Sequence, residues 1–158
     1  MATSVSNATL TVTVEEQLYL NGKDRGSKTT HTFNFVDEVM SFIKTCPNNV
    51  ATALLNFDAT PSTVGSNLAV ADVKYIRVTN LDASVDCEVS VGTGGSDYAI
   101  HKLGGGQSYV LMTGVDDTFE IGTPATAGSA TAGMDDITAL LVHCYDGAVD
   151  VEVFVASV

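Results

Sequence analysis

The chain of 158 residues carries 19 acidic and 7 basic residues, a formal net charge of −12 at pH 7, and 45% of its residues are hydrophobic. This length suits one domain with its own core, and the hydrophobic fraction argues against disorder. The shortage of cations excludes nucleic acid and anionic membrane surfaces as expected partners, and no apolar run approaches the ~20 residues of a membrane span.

The N-terminal segment predicts an arm followed by a strand. Residues 1–8 are mostly small and polar, so we expect an N-terminal arm, with residues 9–158 forming a single β-sandwich domain. From residue 9 to residue 20, threonines and aliphatic residues alternate with the period of a strand. The turn signal Asn21-Gly22 then opens an exposed hairpin loop.

The next segment is ambiguous at one point. Residues 29–35 are rich in Thr, His and Phe and predict a returning strand. Residues 36–46 fit either a short helix or a strand, and Pro47 ends either element. We favour a strand because the surrounding pattern is β.

The rest of the chain continues the strand pattern. Further strands are predicted at residues 52–57, 73–79, 87–91, 98–103, 107–112, 118–121, 137–145 and 149–155. Two hairpins are expected, one around Gly104-Gly105-Gly106 and one, strongly apolar and therefore central, turning at Asp146-Gly147. Residues 122–133 predict a long loop. About nine or ten short strands indicate an all-β antiparallel sandwich or barrel.

The polar cluster Asn80, Asp82 and Asp86 lies between two predicted strands. Asn and Asp are typical of corners because their side chains bond nearby backbone groups. A calcium site is the alternative, and the pairs Asp116-Asp117 and Asp135-Asp136 are open to it as well. No recognised calcium-loop pattern is present, so we interpret the cluster as a corner and expect no metal.

Cysteine and histidine do not form a recognised catalytic or metal-binding motif. Cys46, Cys87 and Cys144 are distant in sequence, no C-x-x-C pair exists, and we expect reduced thiols in or near the core. A pair between Cys87 or Cys144 and a histidine would need an electropositive, partly exposed setting. We therefore expect no catalytic residue, no cofactor and no enzyme activity.

Two stretches carry a family resemblance: "YIRVTNLDASVDCEVSVG" and "YAIHKLGGGQSYVLM". The matching positions are Arg77, Asn80, Leu81, Asp82, Leu103, Gly106 and Leu111. Together with the preceding "FVDEVMSFIKTCPNNVATALLNF", they resemble the core of small jelly-roll-like structural proteins of tailed-phage virions. The resemblance is clearest over residues 70–113.

This resemblance implies a jelly-roll-like, non-enzymatic capsid decoration (cement) protein on the outer surface of the phage head. Its partners would be copies of itself, as a trimer, and the major capsid protein or other virion subunits. Assembly contacts are expected in the two small-residue segments, at Thr3, Val5, Thr123, Pro124, Thr126 and Thr131. The alternatives are a head-fibre subunit, a tail- or neck-associated subunit, and a host-recognition carbohydrate-binding module. The last is weakened by the absence of Trp.

Overall fold

The computed structural model of the protein describes residues 2–58, 67–93, 98–114, 117–122 and 134–158, and for residues 2–7, 58, 67 and 134 it describes the backbone. Within these ranges the secondary structure is β throughout, with no helix. The strands are β1 Ala2–Glu15, β2 Tyr19–Leu20, β3 Lys23–Asp24, β4 Lys28–Cys46, β5 Thr52–Asp58, β6 Asn67–Ala69, β7 Val73–Asn80, β8 Cys87–Gly92, β9 Tyr98–Leu103, β10 Ser108–Met112, β11 Glu120–Gly122, β12 Met134–Asp136, β13 Ala139–Cys144 and β14 Val149–Ser157. The all-β prediction is confirmed.

Two five-stranded sheets form the sandwich. Sheet A has the order β1-β4-β14-β7-β10, and sheet B has the order β6-β5-β13-β8-β9. Every pairing in them is antiparallel except that of β5 with β6. The eight strands left after removing β1 and β6 give four in each sheet, connected as a jelly roll. The predicted antiparallel, jelly-roll-like sandwich is therefore found.

The core lies between the sheets and follows from period-two alternation. On β14, Val149, Val151, Val153 and Val155 are at most 1% exposed, and they face inward while the residues between them face the outer side of sheet A. Strands β14 and β13 each lie at the centre of their sheet. The prediction that these apolar strands are central is confirmed.

The two predicted hairpins are wrong in their pairing. Strand β9 pairs with β8 in sheet B while β10 pairs with β7 in sheet A, and β13 and β14 are likewise in different sheets. Gly104-Gly105-Gly106 and Asp146-Gly147 therefore connect the two layers of the sandwich. Glycine permits a tight reversal within one sheet or between two, so local sequence does not separate these cases.

The ambiguous segment is part of one long strand. Strand β4 has 19 residues and unites the predicted strands 29–35 and 36–46, so the strand interpretation is confirmed. Phe35 has a φ of 63°, a left-handed value, and it divides β4 into two parts. In the second part, residues 38–46 pair with β14 in sheet A.

The predicted N-terminal arm is instead the first half of a strand. Strand β1 begins at Ala2, and its residues pair with β4 in register, for example Thr3 with Val39 and Ala8 with Val36. Pairing occurs because β4 would otherwise leave one side of its backbone without hydrogen bonds. Register shifts around Ala8 let β1 follow the bend of β4.

Beyond this bend, residues 8–15 of β1 and 28–36 of β4 form a two-stranded ribbon, which we call the outer ribbon. A second hydrophobic cluster joins its buried Phe33 and Val36 to Tyr75 and Ala156, which lie on the outer side of sheet A. Phe33 and Tyr75 have ring centroids 6.5 Å apart. The outer ribbon thus covers part of the outer face of sheet A, which points away from the core.

Candidate functional site

Four connections between the sheets gather at one end of the sandwich, which we call the corner end. They are the loops 47–51, 81–86, 104–107 and 145–148. Backbone bonds tie neighbouring loops together: the Asn49 amide donates to the Cys144 carbonyl at 2.7 Å, and the Leu81 amide donates to the Asp150 carbonyl at 2.9 Å. The polar residues singled out in the sequence meet here.

Asn80 is the centre of the corner end. Its side chain is fully buried, and Nδ2 donates to the carbonyls of Val85 at 2.8 Å and Leu103 at 3.3 Å. Its Oδ1 accepts from the Asp82 amide at 3.0 Å. One amide side chain therefore joins the connection after β7 to the end of β9, which belongs to the other sheet.

The two parts of the family-like pattern come together around Asn80. The Gly106 amide donates to the Asn80 carbonyl at 3.1 Å, and the Asn80 amide donates to the Gln107 carbonyl at 3.0 Å. Gly106 has a φ of 71°, and a Cβ on Gly105 would lie 2.6 Å from the Ala83 carbonyl carbon. These glycines are required by backbone shape and close approach. Asn80 and Gly106 of the pattern thus have structural roles in the corner.

Asp82 and Asp86 also serve the corner. Asp82 Oδ1 accepts hydrogen bonds from the amides of Ser84 at 2.8 Å and Val85 at 2.7 Å. These backbone donors lower the pKa of the Asp82 carboxyl. Asp86 pairs with Lys102 at 2.6 Å. The corner interpretation is confirmed, and among the described residues no group of three or more His, Cys, Asp or Glu side chains is arranged to hold a metal ion.

The three cysteines, far apart in sequence, lie at the corner end. Cys87 and Cys144 are directly opposite on β8 and β13, and Cys46 ends β4 opposite Val149. All are free and at most 1% exposed, which confirms the predicted burial. Burial, reinforced by Cys144, raises the thiol pKa to about 11 for Cys46 and about 12 for Cys87. Thiols of this kind stay protonated at neutral pH and are poor nucleophiles.

The histidines do not assemble with these thiols. His143 precedes Cys144 on one strand, so their side chains point to opposite faces of sheet B. The His143 ring packs edge-on against Tyr145 with centroids 4.2 Å apart. The His101 ring stacks on Tyr109, at 5.1 Å. Each of these two rings has an aromatic neighbour, and the cysteine–histidine pair considered from the sequence is not formed in the described part of the chain.

All six predicted assembly contacts fall where side chains are not described. Thr3 and Val5 belong to β1, and Thr3 pairs with Val39. The positions outside the described residues are Thr123, Pro124, Thr126 and Thr131. Sequence reasoning therefore missed a larger candidate surface, the exposed end of the outer ribbon. The run Leu18-Tyr19-Leu20 beside a turn signal was the available indication.

The outer ribbon crosses sheet A as far as its β10 edge, and the part of the chain that follows is exposed. His31, Thr32 and Phe33 line a cavity together with Met112, Thr113 and Gly114 at that edge. From residue 13 to residue 30 every residue is exposed apart from half-buried Gly26. The Asn21-Gly22 turn has positive φ at both residues, 51° and 74°, as a tight hairpin requires. This exposed part, residues 13–30, is called the free ribbon below.

A shallow groove lies at the corner end of sheet A, on the outer face. We call it the corner groove, and it is lined by Ile43, Thr45, Leu81, Asp82, Ala148 and Asp150. Ile43 is 64% exposed and Leu81 47% exposed, which is high for side chains of their size. The groove thus combines apolar contacts with two carboxylates.

Comparison with family models, with curated proteins and with solved structures found no match to the chain. None of the described residues belongs to a helix that is long and apolar enough to cross a membrane.

Proposed function

We propose that the protein is a non-enzymatic structural subunit of a phage virion, a decoration protein on the outer surface of the head. The observation that carries the proposal is the outer ribbon. It packs on one face of a jelly roll and extends an exposed free ribbon beyond the β10 edge. A two-stranded ribbon is marginal in water by itself, so an extended one is typical of a protein that contacts neighbours.

The chemistry of the other candidate residues supports a structural role. Within the corner, the side-chain amide of Asn80 and Oδ1 of Asp82 are hydrogen-bonded, and Asp86 pairs with Lys102. The thiol pKa of Cys46 and Cys87 lies well above neutral pH. The net charge of −12 fits an outer surface better than one that faces packaged DNA.

Particles provide the direct test. Virions in which the chain is detected by mass spectrometry would be imaged by electron microscopy after labelling a small tag on the protein. Many symmetric copies on the head are the expected result. A ring at the tail or neck would favour the tail-associated alternative, copies confined to a fibre would favour a head-fibre subunit, and absence from particles would reject the virion proposal.

A carbohydrate-binding module is the second candidate, and one observation favours it. A pocket of about 150 Å³ is lined by exposed Tyr145 with Asp86, Glu88, Lys102 and Asp146, and the Tyr145 hydroxyl donates to Glu88 at 2.7 Å. An aromatic ring beside carboxylates suits a sugar. Glycan-array binding that is lost in Tyr145→Ala and kept in Tyr98→Ala would support this candidate over the first.

A further inference from the structure

The free ribbon carries a concentration of exposed apolar side chains. Val14 is 47% exposed, Leu18 54%, Tyr19 75% and Leu20 54%. Exposed apolar residues are ordinary when scattered, but three consecutive ones at the end of an extended ribbon form a patch typical of an interaction site. The ribbon also lacks support from a third strand over this length, because residues 28–30 of β4 pair with β1 alone.

The tip of the free ribbon, residues 17–28, has a charge opposite to that of the rest of the chain, whereas the whole free ribbon also contains Glu15 and Glu16 and has no net charge. Residues 17–28 contain three basic residues, Lys23, Arg25 and Lys28, and one acidic residue, Asp24. The remaining residues contain four basic and 18 acidic side chains. Lys28 pairs with Glu15 at 3.7 Å, while Lys23 and Arg25 have no ion pair among the described residues. The favoured partner surface is therefore acidic with an apolar part.

The corner groove has that composition. Ile43 and Leu81 supply exposed apolar surface, and Asp82 and Asp150 supply carboxylates. Asp150 is exposed, and its Oδ1 accepts a hydrogen bond from the Thr45 hydroxyl at 2.5 Å. The tip of the free ribbon, residues 17–28, and the corner groove thus complement each other in both charge and hydrophobicity.

The ribbon of one chain does not fill its own groove. It crosses sheet A beside Tyr75 and Phe154 and reaches β10 at Met112. The groove lies past the opposite end of β7, at Leu81. This is four residues beyond Arg77, which lines a pocket with residues 10–13 of the ribbon, and so about 13 Å away along an extended strand. The free ribbon leaves the sheet away from the groove.

We propose that residues 17–25 of one copy dock into the corner groove of a second copy. Leu18, Tyr19 and Leu20 cover Ile43 and Leu81, while Lys23 and Arg25 approach Asp82 and Asp150. The contact joins two different surfaces, so repetition closes a ring or extends a chain of subunits. This inference concerns self-association of the isolated protein and does not depend on a location in a virion.

The test measures association of the full chain by sedimentation equilibrium. We expect the parent to form oligomers that weaken at high salt, because exposed charges are screened. The tip variant Lys23→Glu/Arg25→Glu and the groove variant Asp150→Lys should each associate about tenfold or more weakly, since like charges now face each other. Asp146→Lys is the matched control for charge, because Asp146 lies at the same end but outside the groove, and it should associate like the parent.

A mixing experiment identifies the two surfaces as partners. The tip variant keeps an intact groove and the groove variant keeps an intact tip, so an equimolar mixture should form a one-to-one complex that neither variant forms alone. Unchanged melting temperatures would establish that the variants are folded. A monomeric parent at every soluble concentration would overturn the proposal and leave a different protein as the partner of the ribbon. An oligomer that neither variant weakens, or a mixture no stronger than its components, would overturn it too.

Discussion

The corner end and the outer ribbon contain similar residue types but are held in different ways. At the corner end, Asn80 makes three side-chain hydrogen bonds in full burial and links both sheets. On the outer ribbon, Asn34 is exposed and its Oδ1 accepts one long bond from Thr9, at 3.5 Å. The comparison shows that polar side chains stabilise this fold where they provide hydrogen-bond partners for backbone groups that water cannot reach. The free ribbon is exposed, so its side chains remain available for contacts with other molecules.

The largest effect is expected at Asn80. In Asn80→Ala, the carbonyls of Val85 and Leu103 and the amide of Asp82 lose their partner. A buried group left unsatisfied costs about 1–3 kcal/mol, so we expect a loss of roughly 3–5 kcal/mol in the free energy of unfolding. Urea denaturation measures it. The matched control, Asn34→Ala, should change stability by less than about 0.5 kcal/mol, and equal losses in both variants would contradict the comparison.

The next effect concerns the attachment of the ribbon to sheet A. Phe33 is 5% exposed and packs against Tyr75, so Phe33→Ala should cost about 3 kcal/mol. Limited trypsin digestion should also cut the variant faster at Lys23 or Arg25, because the ribbon loses its main contact with the sheet. The exposed Phe35, at 69%, provides the control, and Phe35→Ala should not speed cleavage. Equal cleavage of parent and both variants would show that Phe33 does not hold the ribbon.

Alkaline pH should act on the corner end through its thiols. Folding raises the thiol pKa from 9.0 to about 11 in Cys46 and to about 12 in Cys87. Their contribution to stability is complete below pH 9 and is lost as the pH rises towards the folded-state values, because only the unfolded chain ionises there. At pH 10 we expect a loss on the order of 1 kcal/mol per thiol.

Urea midpoints at pH 8 and pH 10 measure this loss. The control is Cys46→Ala/Cys87→Ala, which is less stable at both pH values but should lose less between them. The same pH dependence in parent and variant would mean that other groups are responsible. Cys87→Ser and Cys144→Ser are each expected to lower stability as well, because each thiol packs in the hydrophobic core.

The smallest effect is expected at the end of the free ribbon. Tyr19 is 75% exposed, so Tyr19→Ser should change the free energy of unfolding by less than about 0.5 kcal/mol in dilute monomeric protein. Tyr75→Ser is the matched control, since Tyr75 is 8% exposed between Phe33 and Phe154, and it should cost several times more. A large loss in Tyr19→Ser would show that the tip has contacts within its own chain.

Much of the fold was predictable because strand periodicity and turn chemistry are local. Alternation located β5, β7, β8 and β14 to within two residues. Asn21-Gly22 was predicted correctly as a turn, and Asn80 as part of the corner between two strands. The partner strands of β9 and of β13 were not predictable, because a glycine-rich connection can join two strands of one sheet or strands of two different sheets. The union of β1 with β4 was missed for a similar reason: residues 2–8 look unstructured until a partner strand is placed beside them.

The candidate site was harder to predict than the fold. Cys46, Cys87 and Cys144 meet only because four connections converge, and no spacing in the sequence encodes that convergence. The free ribbon depends on where β4 bends, at Phe35, a residue with no intrinsic preference for a left-handed conformation. Exposure of Leu18 and Tyr19 follows from that bend, which no local pattern in the sequence predicts.

The central position of β13 and β14 has a consequence for biosynthesis. Strand β14 separates β4 from β7, and β13 separates β5 from β8, yet both are translated after the strands that they join. A nascent chain on the ribosome therefore carries the apolar faces of two incomplete sheets until residues 139–157 emerge. Such contacts between distant parts of the chain form slowly, and exposed strand edges invite aggregation meanwhile. The two sheets can thus be completed only after residues 139–157 have left the ribosome, so we expect the yield of folded protein to depend on protection of the growing chain.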